Sequence, residues 1–253
     1  MNRSTHIAIC SLLLVLASVP VAAQEDDLRV EVQKLRQGQD ELRREIAEIR
    51  RLLQQRPTPN SGGVNVAGKV FDVGPNPAKG EASADLTLIE FTDYQCGYCA
   101  RHLRETFPRI SEEFVATDKL RYVVVDMPLQ RHTQAFQAAE VARCAGDQGK
   151  YWEMHDRLFA FQRALEPWTG HADALGLDRP AFDACLAERK YAEAVRRDMN
   201  EARRAGATGT PSFVLARTNP ESPDQVTALS FIRGARPFED FQAQINEALE
   251  AAE

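Results

Sequence analysis

An apolar run leads directly into a pair of cysteines in the sequence Leu86-Thr87-Leu88-Ile89-Glu90-Phe91-Thr92-Asp93-Tyr94-Gln95-Cys96-Gly97-Tyr98-Cys99. Residues 86–91 predict a buried β-strand, and a helix over about residues 99–116 is expected to follow it. A second β-rich run, residues 120–125, ends before Pro128. Strand, helix and strand in this order predict a right-handed βαβ unit, with the cysteines where its first strand meets its helix.

The spacing of Cys96 and Cys99 is typical of a redox-active pair. A thiol attacks a disulfide only as its thiolate, so one sulfur needs surroundings that stabilise negative charge. At the start of a helix, unpaired backbone N–H groups and the helix dipole provide this for Cys96. We therefore expect Cys96 to be the nucleophile and Cys99 the resolving cysteine. Their own disulfide is then the redox group, and no bound cofactor is expected.

Two other uses of this pair fit the sequence less well. A structural zinc site needs further ligands at close spacing, but Cys144 and Cys185 lie far from the pair and from each other, without a matching pair of histidines. We therefore expect no metal ligands. A purely structural disulfide across two intervening residues closes a very short loop and removes little entropy from the unfolded chain. The spacing thus favours redox chemistry.

The remaining segments complete an α/β fold around the βαβ unit. They are an edge strand at residues 69–73, a helical block at 133–205, strands at 212–216 and 228–233, and a last helix at 238–251. Glycines and prolines are expected to break the helical block near Gly146, Pro167 and Pro180. This order predicts a thioredoxin fold with a helical domain inserted at about residues 128–206.

Three segments resemble the DsbA-like family of bacterial disulfide oxidoreductases, and the resemblance covers about residues 68–250. The segments are Ile89-Glu90-Phe91-Thr92-Asp93-Tyr94-Gln95-Cys96-Gly97-Tyr98-Cys99, Tyr151-Trp152-Glu153-Met154-His155-Asp156-Arg157-Leu158-Phe159 and Gly209-Thr210-Pro211-Ser212-Phe213-Val214. In that family the proline that corresponds to Pro211 is cis and lies against the cysteines. The resemblance implies that Thr210 and Pro211 present backbone to substrate beside Cys96. The residues alone indicate only a turn before a strand.

The resemblance also implies a role for Glu90. It corresponds to a buried acid that family members place beneath the cysteines to move protons from the resolving thiol. The residues alone leave open a solvent-facing position on the strand. Gly97, Tyr98 and Asp93 are expected to line the substrate groove, Tyr98 with apolar surface for unfolded chains. Three histidines without counterparts in the family are interpreted as surface or helix-packing residues, namely His102, His132 and His155.

The dipeptide Gly97-Tyr98 separates this chain from the strongly oxidising family members, which have Pro-His there. Because no cation-capable ring lies beside it, Cys96 is predicted to titrate above about 3.5, the value typical of the strongest oxidant. Cys-Gly-Tyr-Cys, with threonine before the cis-proline, resembles the DsbC-like isomerases, which are oligomers. This resemblance implies an oxidoreductase with isomerase activity; a dedicated oxidant is the alternative, since Gly-Tyr also occurs in oxidases.

The same resemblance implies the partners. Either type of enzyme acts on unfolded or misoxidised exported proteins. Each is recycled by a membrane redox partner, a DsbB-type oxidase or a DsbD-type reductase.

The N-terminus has the pattern of a secretory signal peptide. Arg3 precedes an apolar run over residues 7–19, and small residues lie before Gln24. Cleavage after about Ala23 and export to the periplasm are expected. An uncleaved membrane anchor is the alternative, although the run is shorter than the roughly 20 residues that span a bilayer.

Four cysteines remain after this cleavage, and an even number in an oxidising compartment suggests two pairs. Cys144 and Cys185 both fall in the helical block. A structural disulfide between them is predicted, with two buried free thiols as the alternative.

Residues 24–56 predict a coiled-coil helix. Apolar residues follow a heptad, with Leu28, Leu35, Leu42 and Ile49 at d positions and Val32, Gln39, Ile46 and Leu53 at a positions. We expect homo-oligomerisation through residues 28–53, and Gln39 leaves both dimer and trimer open. The alternative is an amphipathic helix packed on its own domain. A linker at residues 57–67 would then precede the catalytic domain, residues 68–253.

The charge of the chain bears on its partners. The formal net charge is −6, and loss of the signal peptide would remove one arginine and no acid. Nucleic acid is therefore not an expected partner. A second class of function stays open, a holdase or copper-handling protein that uses the thiols as Cu(I) ligands.

Overall fold

The computed structural model describes residue 29 and residues 31–46, 64–74 and 76–251. The chain divides into two units, one ending at Asn60 and the other beginning at Ser61. The predicted signal peptide, residues 1–23, lies outside the described residues, and so do residues 57–63 of the predicted linker.

In the first unit, residues 31–46 form a helix, α1. Its apolar side chains Val32, Leu35, Leu42 and Ile46 are exposed, by 38% at Val32 and 70% at Leu35. These residues are a and d positions of the predicted heptads. The outer heptad positions Leu28, Ile49 and Leu53 lie outside the described residues, and oligomerisation through residues 28–53 stays a prediction.

Within its described residues, the second unit contains a six-stranded mixed sheet with the strand order β1-β6-β5-β3-β4-β2. The strands are β1 (Val70–Asp72), β2 (Ala78–Lys79), β3 (Leu86–Thr92), β4 (Leu120–Asp126), β5 (Ser212–Asn219) and β6 (Ser222–Arg233). β3 and β4 run parallel, and the other neighbouring strands are antiparallel. Every residue of β3 and β4 is buried, and for β3 this agrees with the buried strand that residues 86–91 predict.

Helices cover the sheet and interrupt it in the chain. They are α2 (Gly97–Glu105), α3 (Phe107–Ile110), α4 (Ala135–Gly146), α5 (Tyr151–Ala160), α6 (Trp168–Ala174), α7 (Arg179–Ala187), α8 (Ala192–Arg204) and α9 (Phe238–Glu250), with a π-helical turn at Ser111–Val115. Helices α4 to α8 follow β4 and precede β5, so they form an insertion. The order of the other elements confirms the predicted fold class, a thioredoxin fold with an inserted helical domain.

Two hydrophobic cores hold the sheet between layers. On one face, Phe107 and Phe241 bring α3 and α9 against Leu88 and Val124. On the other face, Ala202 of α8 joins a core with residues of β3, β4 and β5. A third core fills the insertion and extends to Cys96 and Cys99. The inserted helices therefore pack against the cysteine pair as well as against each other.

The helix after the cysteines differs from its predicted form. It was predicted over residues 99–116, but α2 begins at Gly97, and Thr106 separates it from α3. Pro108 lies in the first turn of α3, where a missing N–H is tolerated, and it cannot continue an α-helix from the preceding turn. The chain then closes with the π-helical turn, so three short segments replace one predicted helix.

Two features of the sheet were also not predicted. β2 is only two residues long and pairs with β4, and a segment so short shows no periodicity in the sequence. β5 and β6 extend beyond their predicted ends into a hairpin in which Asn219 lies opposite Ser222. The polar residues of this hairpin have low strand propensity, so the sequence pattern did not predict strands there.

Candidate active site

Cys96 lies where β3 meets α2 and occupies the N-cap position of that helix. Asp93 shapes the preceding turn, since its carbonyl accepts the Cys96 N–H at 3.0 Å and its Oδ1 accepts the Gln95 N–H at 2.7 Å. Among the described residues no side chain caps α2, and its first turn contains no acidic residue. The first N–H groups of the helix are therefore open to a negative charge on the Cys96 sulfur.

The two thiols of the pair have pKa values shifted in opposite directions. The Cys99 thiol donates to the Cys96 sulfur and makes the largest contribution to lowering the pKa of Cys96 from 9.0 to about 5. The Thr210 side chain and the N–H groups of Cys99 and Tyr98 lower it further, against the effect of burial. Burial, the bond to Cys96 and the charge of Glu90 raise the pKa of Cys99 well above 9.0. At neutral pH the pair therefore consists of one thiolate and one thiol.

The loop before β5 lies against Cys96. Its Thr210–Pro211 peptide bond is cis. The Thr210 carbonyl oxygen lies 3.3 Å from Cys96 Sγ and accepts a hydrogen bond from the protonated thiol. Thr210 Oγ1 is buried and has no other hydrogen-bond partner among the described residues, so its hydroxyl is free to donate to the thiolate. Gly234 N–H donates to the Pro211 carbonyl at 2.9 Å and ties the loop to the end of β6.

Glu90 lies on β3 and is 4% exposed, so it is not a solvent-facing strand residue. Tyr122 Oη donates a hydrogen bond to its Oε2. The charge of Glu90 acts on the neighbouring Cys99 and raises the pKa of that thiol. A buried carboxylate thus lies within electrostatic reach of the predicted resolving cysteine.

His102 and Tyr122 are two site residues that the sequence interpretation missed. His102 is 1% exposed, and its Nε2 lies 3.1 Å from Tyr122 Oη. His102 lies three residues after Cys99, so both side chains are on one face of α2. This spacing is the feature of the sequence that could have placed His102 near the cysteine. Tyr122 lies opposite Leu88 in the β3–β4 register, two residues from the pair formed by Glu90, so it shares that face of the sheet.

The three residues predicted to line the groove differ in exposure. Asp93 does not line a groove, because it is 1% exposed and its Oδ2 lies 2.8 Å from both Leu129 N and His132 Nδ1. A polar residue in a loop looked accessible in the sequence, but it organises the turn before Cys96. Gly97 and Tyr98 are exposed, Tyr98 by 60%, and the Arg101 guanidinium lies over the Tyr98 ring at 5.0 Å.

The second pair of cysteines is joined within the insertion. Cys144 of α4 and Cys185 of α7 form a disulfide bond between residues 41 positions apart, with their Cα atoms 5.9 Å apart. Both side chains lie in the core of the insertion.

Among the described residues, no group of three or more His, Cys, Asp or Glu side chains has the arrangement of a metal site. In the same residues, no helix has both the length and the apolar character needed to cross a bilayer.

Comparison with known proteins identifies the family. Residues 72–232 match the family model described as thioredoxin. The chain therefore belongs to the thioredoxin family.

Solved structures share the fold. The structure of alpha-DsbA1 from Wolbachia pipientis has a TM-score of 0.60 at 21% identity and covers 70% of this chain and 94% of that one. BdbD from Bacillus subtilis in its oxidised form has a TM-score of 0.58 at 20% identity over 73% and 98% of the two chains. A thioredoxin-like oxidoreductase from Silicibacter pomeroyi DSS-3 has a TM-score of 0.57 at 25% identity over 69% and 92%.

The curated relatives are longer proteins. The Na(+)/H(+) antiporter NhaA 1 of Salinispora arenicola is 36% identical over 155 residues, which are 60% of this chain and 23% of the antiporter. The antiporter NhaA of Herminiimonas arsenicoxydans is 37% identical over 139 residues, 54% of this chain and 22% of that protein. The chain thus spans about a quarter of the length of these relatives.

Proposed function

We propose that this protein is a thiol-disulfide oxidoreductase that forms or isomerises disulfides in exported proteins, with Cys96 as nucleophile and Cys99 as resolving cysteine. The supporting observation is the opposite shift of the two neighbouring pKa values, with Cys96 at about 5 and Cys99 well above 9.0. A pair of equal thiols would compete for attack. In this pair one sulfur is ready to attack while the other keeps its proton for the second step.

The reaction has two displacements. The Cys96 thiolate attacks one sulfur of a substrate disulfide, a mixed disulfide forms, and the other substrate sulfur leaves with the electron pair. Cys99 then attacks Cys96 Sγ, its proton passes to a base, and the first substrate sulfur leaves as a thiolate. The substrate disulfide is reduced by two electrons and the Cys96–Cys99 pair is oxidised. The same steps in reverse oxidise a substrate dithiol.

Substrate binding is proposed at the surface around Cys96. The backbone of Thr210 and Pro211 lies next to the nucleophilic sulfur, and Gly97 and the exposed Tyr98 ring border it. Backbone hydrogen bonding and one apolar ring suit unfolded chains of varied sequence, because neither selects a particular side chain.

The assembly and location are part of the proposal. The exposed apolar stripe on α1 supports homo-oligomerisation through residues 28–53, since such a stripe is typical of a coiled-coil seam. The N-terminal sequence supports export to the periplasm after cleavage near Ala23. A membrane redox partner, a DsbB-type oxidase or a DsbD-type reductase, would then recycle the cysteine pair. An oligomer that brings several thiolates to one misoxidised chain favours isomerisation over simple oxidation.

Refolding of reduced and of scrambled ribonuclease tests the proposal. Cys96→Ser is expected to abolish both activities because no thiolate remains at the helix start. Retained exchange in this variant would exclude Cys96 as nucleophile. A stable Cu(I) complex of the unchanged protein, together with slow disulfide exchange, would instead support the copper-handling alternative.

A paired substitution in α1 tests the isomerase assignment. Leu35→Glu with Leu42→Glu places charges in the apolar stripe and is expected to dissociate the oligomer and to lower isomerase activity selectively. The control is Gln33→Glu with Gln37→Glu, which adds the same charge at outward positions of the heptad. Unchanged oxidase activity in the dissociated variant, together with no isomerase activity in the unchanged protein, would favour the alternative of a dedicated oxidant.

A further inference from the structure

Three buried polar side chains near the resolving cysteine are joined by hydrogen bonds within the apolar core. Glu90 comes from β3, Tyr122 from β4 and His102 from α2, and we call these three residues the buried polar chain. Their exposures are 4%, 1% and 1%. Tyr122 Oη contacts both neighbours, donating to Glu90 Oε2 and lying 3.1 Å from His102 Nε2.

The direction of each hydrogen bond in the buried polar chain is fixed by counting protons. Tyr122 has one hydroxyl proton and gives it to the Glu90 carboxylate, so it can only accept from His102. His102 must therefore carry its proton on Nε2, and Nδ1 is then a bare acceptor. His102 Nδ1 is in fact buried without a hydrogen-bond partner among the described residues. Burial lowers the pKa of His102, so the ring is neutral, and its proton points along the chain.

The surroundings of the buried polar chain are aromatic. Phe213 of β5 and Phe241 of α9 lie 4.6 and 5.4 Å from the His102 ring, and Phe107 of α3 lies 4.6 Å from the Tyr122 ring. The ammonium of Lys79, on β2 beside β4, lies over the rings of Phe107 and Trp152 at 5.6 and 4.5 Å.

The titratable groups that act on one another here are Glu90, Tyr122, His102 and Cys99, with Cys96 beyond Cys99. In so apolar a site a carboxylate needs a donor, because a buried charge without a hydrogen bond is costly.

We propose that Tyr122 and His102 are positioning residues that orient the Glu90 side chain so that it accepts the Cys99 proton during the resolving step. This inference rests on the proposed function. As Cys99 Sγ attacks Cys96 Sγ, the S–H bond of Cys99 breaks and its proton moves to Glu90. The Cys96–Cys99 bond forms, and the substrate sulfur leaves with the electron pair. The hydrogen bond from Tyr122 holds the Glu90 side chain in position to accept this proton. The hydrogen bond from His102 Nε2 keeps the Tyr122 hydroxyl directed at Glu90.

The resolving step can be followed directly. Reduced full-length protein is mixed with excess glutathione disulfide, quenched with acid and alkylated, and intact mass separates the glutathionylated protein from the internal disulfide. The rate of closure is measured from pH 4 to 10. Tyr122→Phe keeps the ring but removes the donor, and it is expected to move the midpoint of the pH profile up by about one to two units. Glu90→Gln removes the proton acceptor and is expected to abolish the rise in closure rate that has this midpoint.

A double variant shows whether Tyr122 acts through Glu90. In a Glu90→Gln background, Tyr122→Phe is expected to cause no further change in the pH profile. An equal shift in both backgrounds would overturn the proposal, because it would show an effect independent of Glu90. Tyr151→Phe removes another buried tyrosine hydroxyl, hydrogen-bonded to Tyr94, and serves as the matched control with an unchanged profile.

Two substitutions of His102 provide an independent test that does not depend on the Tyr122 variant folding. His102→Gln retains an N–H donor near the position of Nε2 and is expected to keep the midpoint of the unchanged protein. His102→Phe retains a ring and loses the donor, with an expected shift of about half a unit to one unit upward. Identical midpoints for these variants would overturn the role of His102. Formation of the internal disulfide by the unchanged protein in this assay tests the proposed function separately. The role of the buried polar chain is contradicted only if that disulfide forms and its pH midpoint is the same in the variants.

Discussion

The start of α2 and the helical insertion each contain a pair of cysteines, and all four side chains are at most 7% exposed. Despite this similar burial, Cys96 and Cys99 are free thiols, whereas Cys144 and Cys185 form a disulfide. The first pair lies at a helix N-terminus with donors directed at one sulfur. The second pair joins the C-terminal turns of α4 and α7 in an apolar core. Similar burial is therefore compatible with both states, and the two pairs differ in the hydrogen-bond donors around their sulfur atoms.

The two pairs also differ in what they contribute to the molecule. A bond between residues 41 positions apart restricts the unfolded chain strongly, whereas a bond across Gly97 and Tyr98 restricts it little. The long-range pair is thus suited to stability and the short-range pair to exchange. The following predictions test this division.

The largest effect is expected from removing the disulfide of the insertion. Cys144→Ala with Cys185→Ala should lower the free energy of unfolding by about 4 kcal/mol, the upper figure from loop-closure entropy. Urea unfolding measures this loss. In the same variant the pKa of Cys96 should be unchanged, as followed by thiolate absorbance against pH. A changed pKa of Cys96 with an unchanged free energy of unfolding would contradict the assignment of the insertion disulfide to stability.

Next in size is the effect of Cys99 on Cys96. Cys99→Ala removes the largest hydrogen-bond contribution to the lowered pKa of Cys96, which should rise from about 5 by about one unit or more. Mixed disulfides with substrate should also accumulate, because nothing resolves them. Cys99→Ser is the matched control, since its hydroxyl still donates and should keep the Cys96 pKa low. A pKa that stays low in the alanine variant would assign the effect to the Thr210 side chain and the helix N–H groups.

The core of this fold was predictable from sequence because β3 and β4 are continuous apolar runs. Breaks such as the one at Thr106 depend on one proline, and β2 is too short for any pattern. Cys96 and Cys99 were predictable as a local motif with known chemistry. The cis-proline loop and Glu90 required a family resemblance, because their proximity to the cysteines is tertiary.

Tyr122 and His102 show where sequence reasoning ended. Each belongs to a correctly predicted element, and each reads as ordinary packing within it. Their relation to Glu90 is visible only in the structure, where β3, β4 and α2 bring the Tyr122 hydroxyl within hydrogen-bond distance of both other polar side chains. Asp93 shows the opposite error, because a carboxylate in a loop looked accessible but satisfies backbone N–H groups inside the turn.

An effect of about 1 kcal/mol per pH unit is expected from Asp198 of α8, whose pKa moves opposite to that of Cys96. Burial and then the charge of Asp126 raise the pKa of Asp198 from 3.8 to about 7, although Arg143 opposes them. Because the folded pKa is the higher one, the contribution to stability is complete below about pH 3.8 and is lost as pH rises through about 7. The slope should be on the order of 1 kcal/mol per pH unit in this window.

Urea unfolding at a series of pH values measures this slope. Asp198→Asn should flatten it, since the group that titrates is gone. Asp183→Asn, which loses an exposed partner of Arg179, is the control and should change stability by less than about 1 kcal/mol. An unchanged slope in the Asp198 variant would assign the pH dependence to other groups.

The smallest effect is expected at the surface beside Cys96, a feature that the buried insertion pair does not have. Tyr98→Ala removes an exposed ring that the proposed function assigns to unfolded chains, so exchange with reduced ribonuclease should slow by about twofold to tenfold. Exchange with glutathione disulfide should be unchanged, because so small a substrate needs only the thiolate and the adjacent backbone. Tyr98→Phe keeps the apolar ring and the position of the Arg101 guanidinium over it, and should behave as the unchanged protein. If both substrates slowed equally in the alanine variant, Tyr98 would act on the Cys96 sulfur itself, and the substrate surface would have to be sought elsewhere around the cis-proline loop.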